Sequence, residues 1–473
     1  MFATRACCVR LLLASAIAGL PAPAVAQTLA ITGGTVIDGT GRQPIADGVV
    51  LVENGRITAV GSARDVRVPA AATSVDARGK FIIPGLMDAN LHLFLNLDLE
   101  TLIKYEERYH EIVLEAAQIA LKSGQTTVFD TWGPRAPLVR ARDMINTGKA
   151  PGSRIYLAGN IIGFDGPLSA DFRANAAPFV SKAFAKRTNE TWEQGTGRSL
   201  LWLTPEEVGA AIREYTKKEV DFLKFGGSGH VDMNFISFSP RAQKAIVDEG
   251  HRANLTVQAH TTSVESLDMA IEAGVDIVTH GDISGPTRAI PDETIRKLVE
   301  RGVAVSALPV TERHVAAMEK HAPNRTLLPY FKVAKANHRN MIKAGVRLLV
   351  STDAGIEHPL LMSESQSVAA DTVDPRVRLG EGHFNAMVAL EEEGMDRMEI
   401  LKAATSNIAK AYKLPDIGSL EAGRIADVVI LDANPLESAR NYRRIHTVIK
   451  DGKVIDLRAL PLAPIISAGT KAR

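Results

Sequence analysis

Five apolar runs in this chain reach an ionisable side chain at or near their ends. PGLMDANLH ends at His92, DFLKFGGSGH carries Lys224, TVQAH ends at His260, DIVTHGD passes through His280, and LLVSTDAG passes through Asp353. One apolar strand that stops on a histidine is, more often than not, simply reaching solvent. Five strand ends with ionisable groups are not what a core selects, because an unpaired buried charge is costly. Imidazole and carboxylate are ligands for divalent metals. An ion held by them lowers the pKa of bound water toward neutrality, so the chemistry on offer is hydrolysis. Thiol chemistry is excluded from the mature chain, since Cys7 and Cys8 both lie in a leader-like N-terminus.

Groups collected from strand ends require parallel strands. Short β-branched runs alternate with helical stretches at 81–93, 126–132, 154–159, 221–226, 255–260, 276–280, 303–308 and 347–353. Eight such units in about 330 residues fit an α/β fold, a (β/α)8 TIM-like barrel with insertions. Periodicity alone does not separate a barrel from a doubly wound sheet. Residues 29–61 alternate apolar and polar positions between glycines, and Glu53-Asn54-Gly55 is a hairpin signal. Residues 418–432 and 447–456 read the same way, which predicts one small β-sandwich built from both chain termini. The expected organisation is a leader at 1–26, sandwich strands at 27–80, the barrel at 81–412 and returning sandwich strands with a tail at 413–473. Residues 161–203 read as a long irregular loop of the kind that forms a lid. Thr204-Pro205-Glu206-Glu207 then opens a helix with a capping box.

The first residues have the pattern of a signal peptide. Arg5 and Arg10 precede the apolar run Leu11–Leu20, and Ala24 and Ala26 give an A-x-A site before Gln27. The run is too short for a permanent membrane span, and cleavage predicts a periplasmic or secreted protein. It would change the formal charge from +1 to −1. With no basic stripe, a nucleic-acid partner is not expected, nor a membrane beyond the leader. Nothing in the sequence sets the oligomeric state, and a homo-oligomer stays open.

The order of the motifs resembles the metal-dependent amidohydrolase superfamily, in particular its imidazolonepropionase- and prolidase-like members. The resemblance rests on PGLMDANLH, where that family has PGxxDxHxH, on Lys224, His260, His280 and Asp353, on AATSNIAKAYKL at 403–414, and on GSLEAGRIADVVILD. It implies that Lys224 is carboxylated and that His92, His260, His280 and Asp353 hold one or two divalent ions. Zn is the default, with Co, Mn or Fe as alternatives. It also implies that Asp353 shuttles a proton while His280 or His230 stabilises an oxyanion. One position departs from the pattern: Asn90 stands where the first strand-1 histidine belongs. Asn offers only a carbonyl oxygen or an amide N–H, so one ion, two ions, or Asn90 itself as a ligand all stay open. Asn at this position, with the GGSGH after Lys224, resembles the phenylurea and molinate hydrolase branch.

The implied activity is cleavage of amide-type C–N bonds in small amides, ureas or carbamates. The alternatives are an Xaa-Pro or Xaa-Arg/Lys dipeptidase, in which Arg135, Arg140 or Arg173 holds a free carboxylate, and a binding protein without catalysis. Trp132, Tyr105 and Tyr109 are candidates for an apolar wall, with core packing as the plainer role. His314 is a weaker rim candidate. His110, His251, His321, His338, His358, His383 and His446 read as solvated.

Overall fold

The computed structural model describes residues 28–95, 97–172, 176–230, 235–285, 287–321, 327–355 and 374–466. The leader at 1–26, Arg173 and His358 lie outside the described residues. At the N-terminus β1 (Thr28–Val36), β2 (Ile45–Glu53) and β3 (Arg56–Ser62) form an antiparallel meander. Asn54 and Gly55 turn its second hairpin, both at positive φ, as an Asn-Gly turn requires. β4 (Thr73–Asp76) and β5 (Phe81–Pro84) run parallel to β1.

The run read as one strand over 81–93 is therefore two. Gly85 breaks it: a Cβ there would stand 2.0 Å from Thr126 Oγ1. Beyond it the parallel strands begin, with β6 (Leu86–Leu91), β7 (Gln125–Asp130) and β8 (Arg154–Leu157) in one sheet. The second sheet holds β9 (Ile161–Ile162), β10 (Phe222–Gly226), β11 (Thr256–His260), β12 (Ile277–Thr279), β13 (Ala304–Ala307) and β14 (Leu348–Val350), in chain order. Between β8 and β9 only Ala158, Gly159 and Asn160 intervene, and buried Asn160 is held by Tyr215 and Phe164. At the other side, Leu91 bridges to Ala354, and the Asp353 N–H donates to the Asn90 carbonyl at 2.9 Å. That approach needs Gly355, whose φ is +123° and whose added Cβ would fall 1.7 Å from the His92 carbonyl oxygen.

The parallel strands are buried on both faces. Val128, Leu223, Val278, Val305 and Leu348 pack toward the helices, while Met87, Phe129, Phe222, Ile277, Ala304 and Leu349 form a separate cluster with Ile408 and Tyr412. This is the two-sided apolar pattern of parallel strands covered by helices. The helices between them are amphipathic: Pro240–Arg252 buries Ala242, Ile246 and Val247 on one side and is capped by Ser239. The capping box at Thr204 and Glu207 is present. The segment 161–203 is less irregular than expected. It contains the helix Lys182–Glu193, started by Ser181, and the buried Trp192.

After the helix Ser406–Ala411, the chain returns to the first sheet through β15 (Val428–Leu431), β16 (Ile445–Lys450) and β17 (Lys453–Val454). The resulting order, β17-β16-β15-β5-β1-β2-β3 with β4 paired to β1 off this path, joins N- and C-terminal strands in one eight-stranded sheet. Among the described residues no helix is long and apolar enough to cross a membrane.

Candidate active site

Six side chains singled out in the sequence meet at the C-terminal ends of the parallel strands. Asn90 lies in β6 and His92 just beyond it, Lys224 lies within β10, His260 ends β11, His280 follows β12, and Asp353 follows β14. Asp353 Oδ1 is 3.0 Å from His92 Nε2 and accepts from Asn90 Nδ2 at 3.0 Å. His280 Nε2 stands 4.0 Å from the same oxygen. Lys224 Nζ donates to Asn90 Oδ1 and Thr131 Oγ1, each at 3.1 Å. The His260 ring lies 4.8 Å from that of His280 and 5.8 Å from that of His230, centroid to centroid.

The backbone contributes to this convergence. His280 and Asp353 take left-handed φ values of +59° and +56°, an unusual region for residues other than glycine, although His, Asp and Asn are enriched there. Such strain collects at functional sites, where the surroundings over-determine it. Asp88 ties the floor together. It accepts from Thr352 Oγ1 at 2.7 Å, the Asn90 N–H at 3.1 Å and Gln125 Nε2 at 3.3 Å, and burial pushes its carboxyl up to about 7.

The donor set fits a cation. His92 Nδ1 faces the Trp132 carbonyl at 3.1 Å, so that nitrogen carries the hydrogen. Nε2 then faces the Asp353 carboxylate at 3.0 Å, a contact that is met either by a proton on that nitrogen or by a cation shared with the carboxylate. Both ring nitrogens of His260 and Nδ1 of His280 are buried without hydrogen-bond partners. Unpaired buried polar groups are uncommon and ask for a reason. Burial lowers His260 well below the usual imidazole range and His280 to about 4, so both rings are neutral with free lone pairs at pH 7. Burial alone would raise the Asp353 carboxyl, but His280, His92 and Lys224 hold it well below the carboxylate range. Among the described residues, no three His, Cys, Asp or Glu groups form a ready-made chelate. Lys224 and Asn90, which lie outside that set of residue types, occupy the middle.

Lys224 is fully buried, and its partners are neutral oxygens. Burial lowers its ammonium to about 8. His230 Nδ1 donates to the Asp171 carbonyl at 3.1 Å, which leaves Nε2 of the neutral ring as an acceptor.

Sequence reasoning passed over Asp130 and Thr131. Their signal was present, because the strand-2 run VFDTW ends on polar groups like the others. Thr131 Oγ1 donates to Asn90 Oδ1 in a short hydrogen bond. Asp130 Oδ2 accepts the Leu93 N–H at 2.6 Å while its other oxygen is unpartnered, and burial raises its carboxyl to about 6. Phe164 and Phe172 were also missed. Phe172 stacks on Trp132 at 3.8 Å and lies 4.7 Å from His230, and Phe164 meets His260 edge-on at 5.8 Å. Trp132 in turn contacts His92, so an aromatic wall runs from one proposed ligand to another. Phenylalanines have no spacing signal that separates such a wall from core.

Other candidates sit elsewhere. Tyr109 packs with Phe94 and Trp192 in the core, and Tyr105 donates to the Ile466 carbonyl. His314 faces the Asp374 carbonyl and Phe331. Arg135 is engaged by the Lys218 carbonyl and Gln194, and Arg140 is exposed on its helix. The reading of solvated histidines is corrected at three positions: His338, His383 and His110 are buried at 0%, 1% and 8% exposure. His338 has two carboxylate partners, and His383 faces the Ser123 carbonyl. A cavity of about 770 Å3 beside Asn54, Arg56, Thr73 and Asp451 lies in the terminal sheet and includes none of the rim groups.

Comparison with known proteins agrees with this geometry. A model described as "Amidohydrolase family" matches residues 81–455. Ochratoxinase of Aspergillus niger is 25% identical over 450 residues, which cover 91% of this chain and 87% of that one. The solved structure of molinate hydrolase superposes with a TM-score of 0.87 at 39% identity, over 94% of this chain and 97% of the other. Phenylurea hydrolase B gives a TM-score of 0.87 at 35% identity, over 93% and 100%.

Proposed function

The chain belongs to the amidohydrolase family, and from that premise we propose that its strand-end site hydrolyses small, neutral N-substituted ureas, carbamates or amides with a bound divalent ion. It is a hydrolase of amide-type C–N bonds. The observation that carries the mechanism is the set of buried, partnerless ring nitrogens of His260 and His280 beside the Asp353 carboxylate. His92, His260, His280, Asp353 and Lys224 would hold the ion, with zinc as our choice of metal and Asn90 as a weaker carbonyl donor. When bound, such an ion supplies a Lewis acid and a water of lowered pKa.

The remaining steps belong to side chains. Asp353, ionised at neutral pH, takes a proton from the attacking water and returns it to the leaving nitrogen. His280 faces the developing oxyanion. His230, with its hydrogen fixed on Nδ1, accepts a substrate N–H at Nε2, which replaces the oxyanion role expected for it. Lys224 is set for carboxylation: its neutral amine adds to CO2, a C–N bond forms, one proton leaves, and an anionic carbamate results. Such a head group suits a metal better than an ammonium. The wall of Trp132, Phe164 and Phe172 receives the apolar substituent.

Two features of organisation belong to the same reading. The two parallel sheets are the halves of one (β/α)8 barrel, split at Gly159-Asn160 and closed by the Leu91–Ala354 bridge. Residues 86–412 belong to it, not 81–412 as the sequence suggested, since Phe81–Pro84 pairs within the sheet that 28–84 and 413–466 build beside it. Residues 1–26 act as a cleaved leader to the periplasm or beyond, which N-terminal sequencing of the exported protein tests by starting at Gln27. A dipeptidase needs a cation for the free carboxylate; among the described residues Arg135 is engaged by the Lys218 carbonyl and Gln194, and Arg140 is exposed on its helix.

The test of the hydrolase reading is metal content per chain, with turnover measured on N-substituted ureas, carbamates and amides. Chelation abolishes turnover and a divalent metal restores it. A metal-free preparation that stays active defeats the proposal.

A further inference from the structure

Behind the loop that carries His280 lies a buried ionic group that the mechanism does not use. His338, on the helix Leu327–Ala344, stands between two carboxylates. Its Nε2 is 3.2 Å from Asp282 Oδ2 and its Nδ1 is 2.9 Å from Glu393 Oε2. Lys335, nearly one turn earlier, is 3.3 Å from Glu393 Oε1 and donates to the Val310 carbonyl at 2.8 Å. Asn337 donates from Nδ2 to the Asp282 carbonyl at 2.7 Å and accepts the Ile290 N–H at 2.8 Å. The side chains of Asp282, His338 and Glu393 are 1%, 0% and 0% exposed. Burial opposes the charge on His338, yet Glu393 and Asp282 hold its pKa up at about 10. Lys335 also meets the exposed Glu312 at 3.2 Å, so basic side chains alternate with carboxylates through the set.

Stability does not account for such a group, because well-packed apolar side chains hold a helix against strands at least as well. Geometry does. Asp282, two residues beyond His280, is ion-paired at its carboxylate with His338 and hydrogen-bonded at its carbonyl by Asn337. His280 is at φ +59°, and the Ile283 N–H donates back to its carbonyl at 2.9 Å. Gly281 has no room for a side chain, since a Cβ would meet Val278 at 2.6 Å. The upstream side of this turn is fixed by the His280 N–H to the Ser306 carbonyl at 3.0 Å. Among the described residues the downstream side is held through Asp282 and Ser284, both bound by Asn337 of the same helix.

We propose that His338, with Glu393 and Lys335, is a positioning residue that locks the turn after β12 and so aims the His280 imidazole into the site. The functional weight of this inference rests on His280 being a metal ligand. Partners that orient ligands in this way are typically worth about 10- to 100-fold in metal affinity.

The experiment uses His338→Gln and the charge-balanced double variant His338→Gln with Glu393→Gln. It reads the imidazole NMR signals of the metal-free protein, metal affinity by chelator competition, and thermal midpoint. In His338→Gln the His280 signals shift or split while those of His92 stay, and the metal Kd rises at least tenfold. The double variant recovers thermal midpoint but not the His280 signals or the affinity. Lys335→Met, which loosens Glu393 while leaving the His338–Asp282 contact, serves where His338→Gln does not fold, with a smaller shift of the same signals expected. Leu298→Ala, a buried control on another helix, lowers the midpoint without moving His280. Unchanged His280 signals, or affinity that simply follows the midpoint, overturns the proposal. A wild-type protein that binds no metal defeats the hydrolase reading instead, and the NMR result still decides the role of His338.

Discussion

Replacing Asp353 with asparagine separates the proton-transfer role from everything else that residue does. The fold should tolerate the change. Asn enters the left-handed region as readily as Asp, so φ +56° is no obstacle. Asp353 Oδ1 receives both Asn90 Nδ2 and the His92 Nε2 contact at 3.0 Å. An amide can keep the first through its oxygen or answer the His92 nitrogen through its N–H, but it cannot serve both from one atom. About one hydrogen bond is lost, worth roughly 1 kcal/mol. The barrier suffers more. A positioned general base contributes about 10²- to 10⁴-fold, which is about 3–5 kcal/mol. Turnover should thus fall at least a hundredfold while metal content stays within about half of wild type, since the histidines and Lys224 remain. The assay is kcat on a urea or carbamate substrate beside metal analysis of the same preparation. Turnover within tenfold of wild type would refute the assignment of Asp353 as the proton carrier. Loss of metal together with activity would mean that Asp353 acts first as a ligand.

Three further outcomes follow from the same geometry. Lys224→Met leaves no amine for CO2 and should lose bound metal and activity; with 13C-bicarbonate the wild type shows a carbamate resonance that this variant lacks, and its absence from wild type removes the carboxylation reading. Phe172→Ala opens the aromatic wall and should raise KM for substrates with a bulky apolar N-substituent by about tenfold, about 1.4 kcal/mol, with little change in KM for an N-methyl substrate; an equal rise for both would remove the wall from substrate recognition. His383 is buried with its pKa lowered to about 3 by burial, partly offset by the Ser123 carbonyl. The unfolded chain binds its proton near 6.5, so stability is full above that pH and is lost as pH falls toward 3, at up to about 1.4 kcal/mol per pH unit. His383→Gln keeps a donor for Ser123 and should flatten this slope in urea unfolding from pH 6.5 to 4; an unaltered slope assigns the acid sensitivity to other groups.

The rim was legible in the sequence because each ligand candidate stands in or just after its own apolar run. Chain order along parallel strands then brings His92, Lys224, His260, His280 and Asp353 to one end. What sequence reasoning lost are features with no local signature. Gly85 splits the first run for a reason that lies in Thr126, some forty residues away. His338 reads as solvated on an 18-residue polar helix, because its carboxylate partners come from a loop and a helix C-cap elsewhere in the chain. Phe172 resembles any core aromatic until Trp132 and His230 are seen against it. The terminal strands were legible for the opposite reason, since alternation and the Asn54-Gly55 turn are local.

Asn90 is where the departure from the family pattern becomes physical. A histidine there would present a ring nitrogen to a second ion. Asparagine instead receives Lys224 and Thr131 at its oxygen and donates to Asp353 from its nitrogen. It thus links Lys224, proposed to carry a carbamate, to Asp353, proposed to move the proton. If Lys224 becomes an anionic carbamate, Nζ keeps one hydrogen and Thr131 still donates to Asn90 Oδ1, but two new carboxylate oxygens stand beside the amide. Two courses are then open: the amide turns its N–H toward the carbamate, or it gives its oxygen to a cation. The first course consumes the N–H that now serves Asp353 and leaves a single ion among His260, His280 and Lys224. The second builds a two-ion site with a weak carbonyl ligand. Asn90→His separates them by metal stoichiometry: a rise from one ion to two shows that asparagine was the reason for a single-ion site, whereas two ions in the wild type show that its carbonyl already serves.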